Sequence, residues 1–534
     1  MKRILAMLLV VAVLVCVLAG CGSSGDSTDS ISAVQSTDKY RSFYQIWIGS
    51  FCDSNGDETG DIPGIISKLD YLNDGDPNSG DDLGVDGIWL SPMMPSTTYH
   101  KYNVRDYFDI DEEFGTLDDF DELLCECHER GIKLIIDLVI NHSGSDHEFF
   151  VKACEELREG NEDGYARYYN VSKESSERYN REVLGSDYYY EGAFSYEMPD
   201  WNLSFEGTRD YFEEVAKFWL DRGVDGFRLD AVKYFDDKET DGVEFLRWFY
   251  EMAQGYNPDV YMVGEDWDST GSIYDFYESG IDSLFNFKFA TNTGEFATGG
   301  RSGLVTDFAK SLKKYDDNIK THNPNAIDAN FLTNHDMPRL ANALDEYEYK
   351  FAASLYMLAP GNTFTYYGEE IGIEAPNTTN DASYRTAMIW DNDDLPDIYV
   401  NGVAQVEECW LGGVKQQLEQ EDSLLNLYRR LIRLRLQNPE IARGDITEVV
   451  EFDNKHVGMV IDYDGARVMV VHNGDKEPAE LTLDPATYSS MTLRGWAVAG
   501  IEGDDENNRA SVTLSGDGTL TMPARSSAVI KLDA

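Results

Sequence analysis

Short apolar runs alternate with amphipathic stretches along most of the chain. FYQIWI (43–48), GIWLS (87–91), KLIIDLVI (133–140), GFRLD (226–230), YMVGE (261–265), SLFNF (283–287), ANFLT (329–333) and NTFTYY (362–367) have the length and the β-branched or aromatic content of strands. Between them, TLDDFDELLCECHERG (116–131) and TRDYFEEVAKFWLDRG (208–223) read as helices, the second with apolar residues at three- and four-residue spacing. Eight strands alternating with helices predict an α/β fold, a closed (β/α)8 TIM barrel over residues 40–445. A doubly wound sheet fits less well, because no Gly-rich phosphate turn follows the first strand.

Two stretches break the alternation. Residues 143–205 are a long aromatic and charged insertion after the third strand, predicted to be a small domain roofing a cleft. After about 445, TEVVEF, VGMVIDY, RVMVVHN, AELTL, SMTLRGW, ASVTL and AVIKL follow one another with turn residues between them. They predict a C-terminal antiparallel β domain over 446–534.

The N-terminus has a different character. Lys2 and Arg3 precede an apolar run from Ile4 to Leu18, short for a membrane span and ending in small residues, as a secretory signal does. Cys21, directly after Leu-Ala-Gly, resembles the lipidated cysteine of a bacterial lipobox, giving a signal peptide over 1–21. Residues 22–39, rich in Ser, Gly, Asp and Thr, read as a flexible tether. The expected location is the extracellular face of a bacterial cell membrane, with membrane contact only through the lipid anchor. The 98 acidic against 44 basic residues give a net charge of −54, which repels nucleic acid and anionic membrane and favours neutral or cationic ligands. Cys52, Cys125, Cys127, Cys154 and Cys409 are odd in number and lack metal-like spacing, so they read as ordinary thiols.

Four apolar runs end in chemistry: DLVINH (137–142), GFRLDAVKY (226–234), VGEDW (263–267) and TNHD (333–336). Side chains alternate across a strand, so Arg228 and Asp230 face the same side. A lone strand-end acid is usually a cap or a structural partner. Asp230, Glu265 and Asp336 together with Asn141, His142, Arg228 and His335 point instead to one site, where a carboxylate pair facing a cleft can cleave glycosides.

These motifs, in this order, resemble the four signature regions of glycoside hydrolase family 13, the α-amylase family, and the resemblance extends over residues 40–534. MPDWNL (198–203) is similar to the fifth region, and YHKYNVRDY (99–107), YYGEEIG (366–372) and YRTAMIWD (384–391) also match family patterns. The resemblance implies Asp230 as nucleophile, Glu265 as general acid/base, and Asp336, His142 and His335 as residues gripping sugar hydroxyls. Tyr102 matches the stacking aromatic, while Lys233 and Trp267 match contacts to the leaving-group sugar. Arg228 is expected to keep Asp230 ionised; Glu265 is expected to hold a proton. Arg385 reads as a structural ion-pair residue at strand eight, outside the catalytic set.

Asp53, Asn55, Asp57, Thr59 and Asp61 place oxygen donors at every second position, suiting a hard cation. A metal-free Asx turn would use the same residues. The pattern is similar to the calcium loop of the oligo-1,6-glucosidase and neopullulanase branches, implying one structural Ca2+. Tyr234 stands where the other common calcium site of α-amylases has His, so no second ion is claimed.

Ala231 after the nucleophile matches α-1,4-acting members, and Met-Pro-Asp (198–200) resembles a group between oligo-1,6-glucosidases and neopullulanases. The reading is a monomeric, retaining hydrolase of α-1,4 bonds in starch and maltooligosaccharides. The runner-up is a neopullulanase- or cyclomaltodextrinase-like or α-1,6-acting enzyme with transfer activity. A starch-binding lipoprotein without activity is disfavoured, because all three acids are retained.

Overall fold

In the computed structural model, the described residues are 36–235, 241–402 and 408–532. Cys21 and the signal peptide lie outside them, as does most of the tether. Eight parallel strands form one sheet: β1 (Ser42–Ile46), β2 (Gly87–Leu90), β3 (Lys133–Leu138), β4 (Gly226–Leu229), β5 (Tyr261–Gly264), β6 (Ser283–Leu284), β7 (Ala329–Phe331) and β8 (Asn362–Tyr366). Pairing runs β7-β8-β1-β2-β3-β4-β5-β6, and a parallel bridge from Phe285 to Ala329 closes the circle into a barrel. β6 has only two residues, so most of the predicted run 283–287 lies beyond the ladder. Asn286 donates to Asp328 at 2.8 Å, tying this segment to the foot of β7.

The barrel interior is aromatic, and the strand alternation explains its layers. Phe43 stacks on Phe364 at 4.6 Å and on Tyr261 at 5.1 Å near the N-terminal ends of the strands. Trp89 and Phe285 come next, with ring centroids 5.3 Å apart. Above them the inward positions turn polar: Gln45 two residues after Phe43, and Arg228, whose guanidinium lies 5.1 Å from the Trp89 ring centroid. The packed lower layers thus form a rigid floor for whatever the strand ends carry.

The insertion folds as a helix (Glu148–Arg158), a short 3-10 turn and a three-stranded sheet of residues 171–172, 179–182 and 189–191. It rejoins the barrel at the MPDW motif. Trp201 N–H donates to the Asn141 carbonyl at 3.0 Å, and Asn141 Nδ2 reaches Asp200 Oδ1 at 3.3 Å. The long helix Glu206–Arg222 follows and ends at Gly223, whose φ of 107° favours glycine.

The last strands form a five-stranded antiparallel sheet, from Asp445–Glu451 to Ser526–Leu532, and a three-stranded sheet of 479–482, 519–522 and 513–514. The sequence reading missed Thr519–Met522, a short strand following the SGDG turn. Residues 36–39 correct the tether boundary. Arg443 bonds Ser36 and Asp38, and Lys39 Nζ reaches Asp282 at 2.8 Å, so these four residues are pinned to the barrel.

Candidate active site

The C-terminal strand ends bring together Asp137, Arg228, Asp230, Glu265, His335 and Asp336 from β3, β4, β5 and the segment after β7. Arg228 is fully buried and organises them. Its Nη1 donates to Asp137 at 2.9 and 3.0 Å, to Asp230 Oδ1 at 2.8 Å and to the Tyr102 hydroxyl at 3.3 Å. Its Nη2 lies 2.9 Å from Glu265 Oε2, an ion pair without the alignment of a hydrogen bond. One cation therefore serves three carboxylates.

That imbalance sets the protonation. Burial pushes Asp137, Asp230 and Glu265 each up to about 7, with Arg228 working against the rise and the neighbouring acids adding to it. The expectation that Arg228 simply keeps Asp230 ionised is too strong: it shares its charge. The aligned hydrogen bonds go to Asp137 and Asp230, which favours the anion there and leaves the retained proton to Glu265.

Asp336 has the opposite environment. Burial would raise it, but His335 at 2.9 Å and the Arg385 guanidinium at 2.8 Å hold it well below the ordinary carboxylate range. Arg385 makes the ion pair expected of it, and its partner is Asp336 of the site itself. Its Nη1 also donates to the Tyr99 hydroxyl at 3.0 Å, and its charge sits 4.3 Å from the Trp47 ring centroid.

Gln45 Nε2 lies 2.7 Å from His335 Nδ1. With the side-chain amide so oriented, Nδ1 accepts and Nε2–H faces Tyr102 and Asp336, a tautomer assigned from the network. Tyr102 stacks parallel to His335, 5.7 Å between centroids, and donates to Asp137 at 3.2 Å. His142 is buried and its Nε2 has no partner among the described residues. Burial depresses it to about 3, so it is neutral at working pH.

Lys233 and Trp267 lie outside this knot. Lys233 Nζ donates to the Trp267 carbonyl at 3.1 Å, and the Trp267 ring, 44% exposed, stacks on Phe287 at 5.0 Å. With Phe194, Ala231, Tyr234 and Glu265 they line an open cavity of about 340 Å³. Phe194 comes from the insertion and packs edge-on against Tyr234 at 4.9 Å. Ala231 has φ +52°, a left-handed turn at the end of β4.

Four participants escaped the sequence reading: Asp137, Gln45, Phe194 and Phe287. Asp137 was findable, since it stands in the same β3 run that ends in Asn141 and His142. Phe194 lies in an insertion whose path no periodicity foretells.

The 53–61 loop is separate. Asp53 accepts from the amides of Asn55, Gly56 and Glu58, Asn55 from Asp57, and Asp57 from Thr59. Asp61 caps the helix Ile62–Ile66 and takes Ser54 Oγ at 2.8 Å. The donors are hard oxygens and fit calcium by chemistry. Asp53, Asp57 and Asp61 are not drawn into one tight group. Among the described residues, the one set of three His, Cys, Asp or Glu ligand atoms within 4.8 Å of one another is Asp275, Glu278 and His322.

Buried acids around an arginine at the strand ends of a parallel barrel are the arrangement that glycoside cleavage by a carboxyl pair requires. The chain belongs to the α-amylase family: that family's catalytic-domain model matches residues 45–444. It is 32% identical over 445 residues to "Alpha-amylase 3" of Dictyoglomus thermophilum, covering 81% of this chain and 84% of that one. It is 28% identical over 535 residues to "Oligo-1,6-glucosidase" of Bacillus cereus, covering 84% and 93%. Among solved structures, Eubacterium rectale Amy13B superposes with a TM-score of 0.85 at 35% identity, covering 95% of this chain and 98% of that one.

Proposed function

We propose that the enzyme hydrolyses α-1,4 bonds of starch fragments and maltooligosaccharides with retention of configuration. The observation that carries the reading is Arg228, in contact with both Asp230 and Glu265. A single guanidinium holds the two carboxyl groups close, as the roughly 5–5.5 Å separation of retaining enzymes requires. Glu265 protonates the glycosidic oxygen while the Asp230 carboxylate attacks C1, and the C1–O bond breaks as the glycosyl–Asp230 ester forms. Glu265, now a carboxylate, takes a proton from water, whose oxygen displaces Asp230 from C1. Asp336, held anionic by Arg385 and His335, accepts hydroxyl hydrogen bonds that tighten as the ring distorts. The unpartnered, neutral His142 Nε2 completes the grip on the same ring.

Bond preference rests on Ala231 and on the similarity to an α-amylase. A second reading, transfer to a sugar acceptor or α-1,6 cleavage, is favoured by the aromatic walls Phe194, Tyr234 and Trp267 on the acid side and by the oligo-1,6-glucosidase relative. Incubation with maltoheptaose decides. Shorter products absent from Asp230→Asn support α-1,4 hydrolysis, longer products support transfer, and no turnover by folded enzyme overturns the reading.

The 53–61 loop is proposed to hold one structural Ca2+ through Asp53, Asn55, Asp57 and Asp61 with the Thr59 carbonyl. Ion saturating its site a hundredfold would add about 2.7 kcal/mol. Chelation should therefore lower Tm and calcium restore it, with the signal absent in Asp57→Ala. Cys21 is proposed to carry the lipid that holds the enzyme on the outer membrane face; loss of membrane attachment in Cys21→Ser checks this.

A further inference from the structure

The end of the barrel opposite the active site carries a second cavity, of about 320 Å³, between the 73–86 loop and the helix Leu424–Gln437. Its position follows from Asp86, which precedes β2 and bonds the first amide of β1. The lining includes Arg130, Arg429, Arg430 and Arg433, an unusual gathering in a chain of net charge −54. Three of these arginines lie on one helix at positions i, i+1 and i+4, where like charges repel.

Two of these guanidinium groups, Arg429 and Arg433, have no carboxylate at ion-pair distance among the described residues. Arg429 donates to neutral oxygens: the Asp82 carbonyl at 2.9 Å, Asn426 Oδ1 at 2.8 Å and the Gly80 carbonyl. Arg433, half-buried, has no hydrogen bond or ion pair among the described residues. Its guanidinium fills the space over Gly80, where φ is +71° and a Cβ would collide with it. The acids act on the cavity only at longer range: Asp82 and Asp81 favour the charge of Arg429, but their carboxylates are not bonded to it. Asp82 takes the Asp74 amide at 3.0 Å, Asp86 takes the Ser42 amide at 2.7 Å, and Glu421 is exposed. Arg130 is already paired with Asp70 and Glu126.

We propose that this cavity binds a phosphate group, with Arg429 and Arg433 as its principal donors. Guanidinium forks match tetrahedral oxyanions, and an anion here would relieve the repulsion along the helix. The group can be a free phosphate or the headgroup of an anionic lipid, the second only where the local arginines outweigh the repulsion between the chain's net charge of −54 and an anionic surface. A headgroup would set the barrel floor against the membrane and turn the active site outward. That orientation rests on the lipid anchor proposed above; the phosphate site does not.

The test is amide hydrogen exchange of the 73–86 loop and the 424–437 helix in the full chain. It is run with inorganic phosphate, with phosphatidylcholine vesicles, and with vesicles also containing phosphatidylglycerol. Protection by inorganic phosphate identifies a small-anion site, and protection only by phosphatidylglycerol vesicles identifies a headgroup site. In calorimetry with whichever probe protects, Arg433→Ala should weaken binding about tenfold or more, and Glu421→Gln should tighten it. Both variants should hydrolyse maltoheptaose as wild type does. No protection by either probe, or protection unchanged in Arg433→Ala and Glu421→Gln, overturns the proposal.

Discussion

The two ends of the barrel use the same residue type for different ends. At the N-terminal end, Asp86, Asp225, Asp282 and Asp328 each stand one residue before a strand. Three of them accept a backbone amide of a neighbouring strand: Asp86 from Ser42, Asp225 from Leu134, Asp282 from Met262. At the C-terminal end, Asp137, Asp230 and Glu265 share one arginine and take no short backbone bond; Ala231 N–H lies 3.4 Å from Glu265. Burial alone does not separate the groups. Burial pushes Asp328, on the floor, up to about 8, as far as any acid of the site. What differs is the partner: strand amides close three of the floor acids into the fold and the Asn286 amide holds Asp328, whereas the roof acids face a cleft with their charge unsettled.

The largest expected effect breaks this comparison outright. Asp230→Asn should fold and lose on the order of 10^4 or more in kcat, because the nucleophile is gone. Asp225→Ala is its counterpart on the floor. It strands the Leu134 amide and the His128 and Lys133 partners, at about 1–3 kcal/mol of stability, with kcat unchanged. Denaturation curves and initial rates on both variants check the pair; a rate loss in Asp225→Ala would remove the distinction.

Glu265→Gln comes next, with an expected loss of about 10^2–10^4 in kcat, the range of general acid catalysis. Added azide, an anion that needs no deprotonation, should rescue it on a substrate with a good leaving group. Absence of rescue would move the acid/base role elsewhere.

Asp137→Asn sharpens the comparison within the site. Asp137 raises Asp230 by its negative charge, so removing it should lower Asp230 and extend activity to lower pH. In the wild type the rate should fall as pH rises through about 7, where Glu265 loses its proton. The pH profile of kcat/KM measures both limbs, and an acidic limb unmoved by Asp137→Asn would sink the shared-cation account.

Much of this was legible in the sequence. All eight barrel strands were placed because their apolar runs are short, separate and rich in β-branched and aromatic residues. Asp230, Glu265 and Asp336 stood out because each ends such a run, and a strand end is where a barrel exposes its chemistry. The floor acids were equally visible, twice as Gly-Val-Asp-Gly at 84–87 and 223–226, but their meaning depends on a neighbouring strand's amide. The ion pair of Arg385 was legible but its partner was not, for the same reason: Asp336 is far away in sequence, at 2.8 Å in space.

The smallest effect is a matter of stability against pH. Asp328 is pushed up to about 8 by burial, with Asn286 as its one side-chain donor among the described residues, at 2.8 Å. A carboxyl whose folded value lies above its unfolded value, near 3.9, stabilises the fold fully below that lower value. Between about 4 and 8 the unfolded chain ionises while the folded one resists, so this contribution fades as pH rises. Asp328→Asn removes the titration and should flatten Tm across that window, leaving the pH profile of activity as it was. Asp137→Asn should flatten Tm over a window ending near 7 and displace the activity profile as well. If both variants moved both profiles, the floor and the roof would be one electrostatic unit, and position along the strand would have lost its power to separate structure from catalysis.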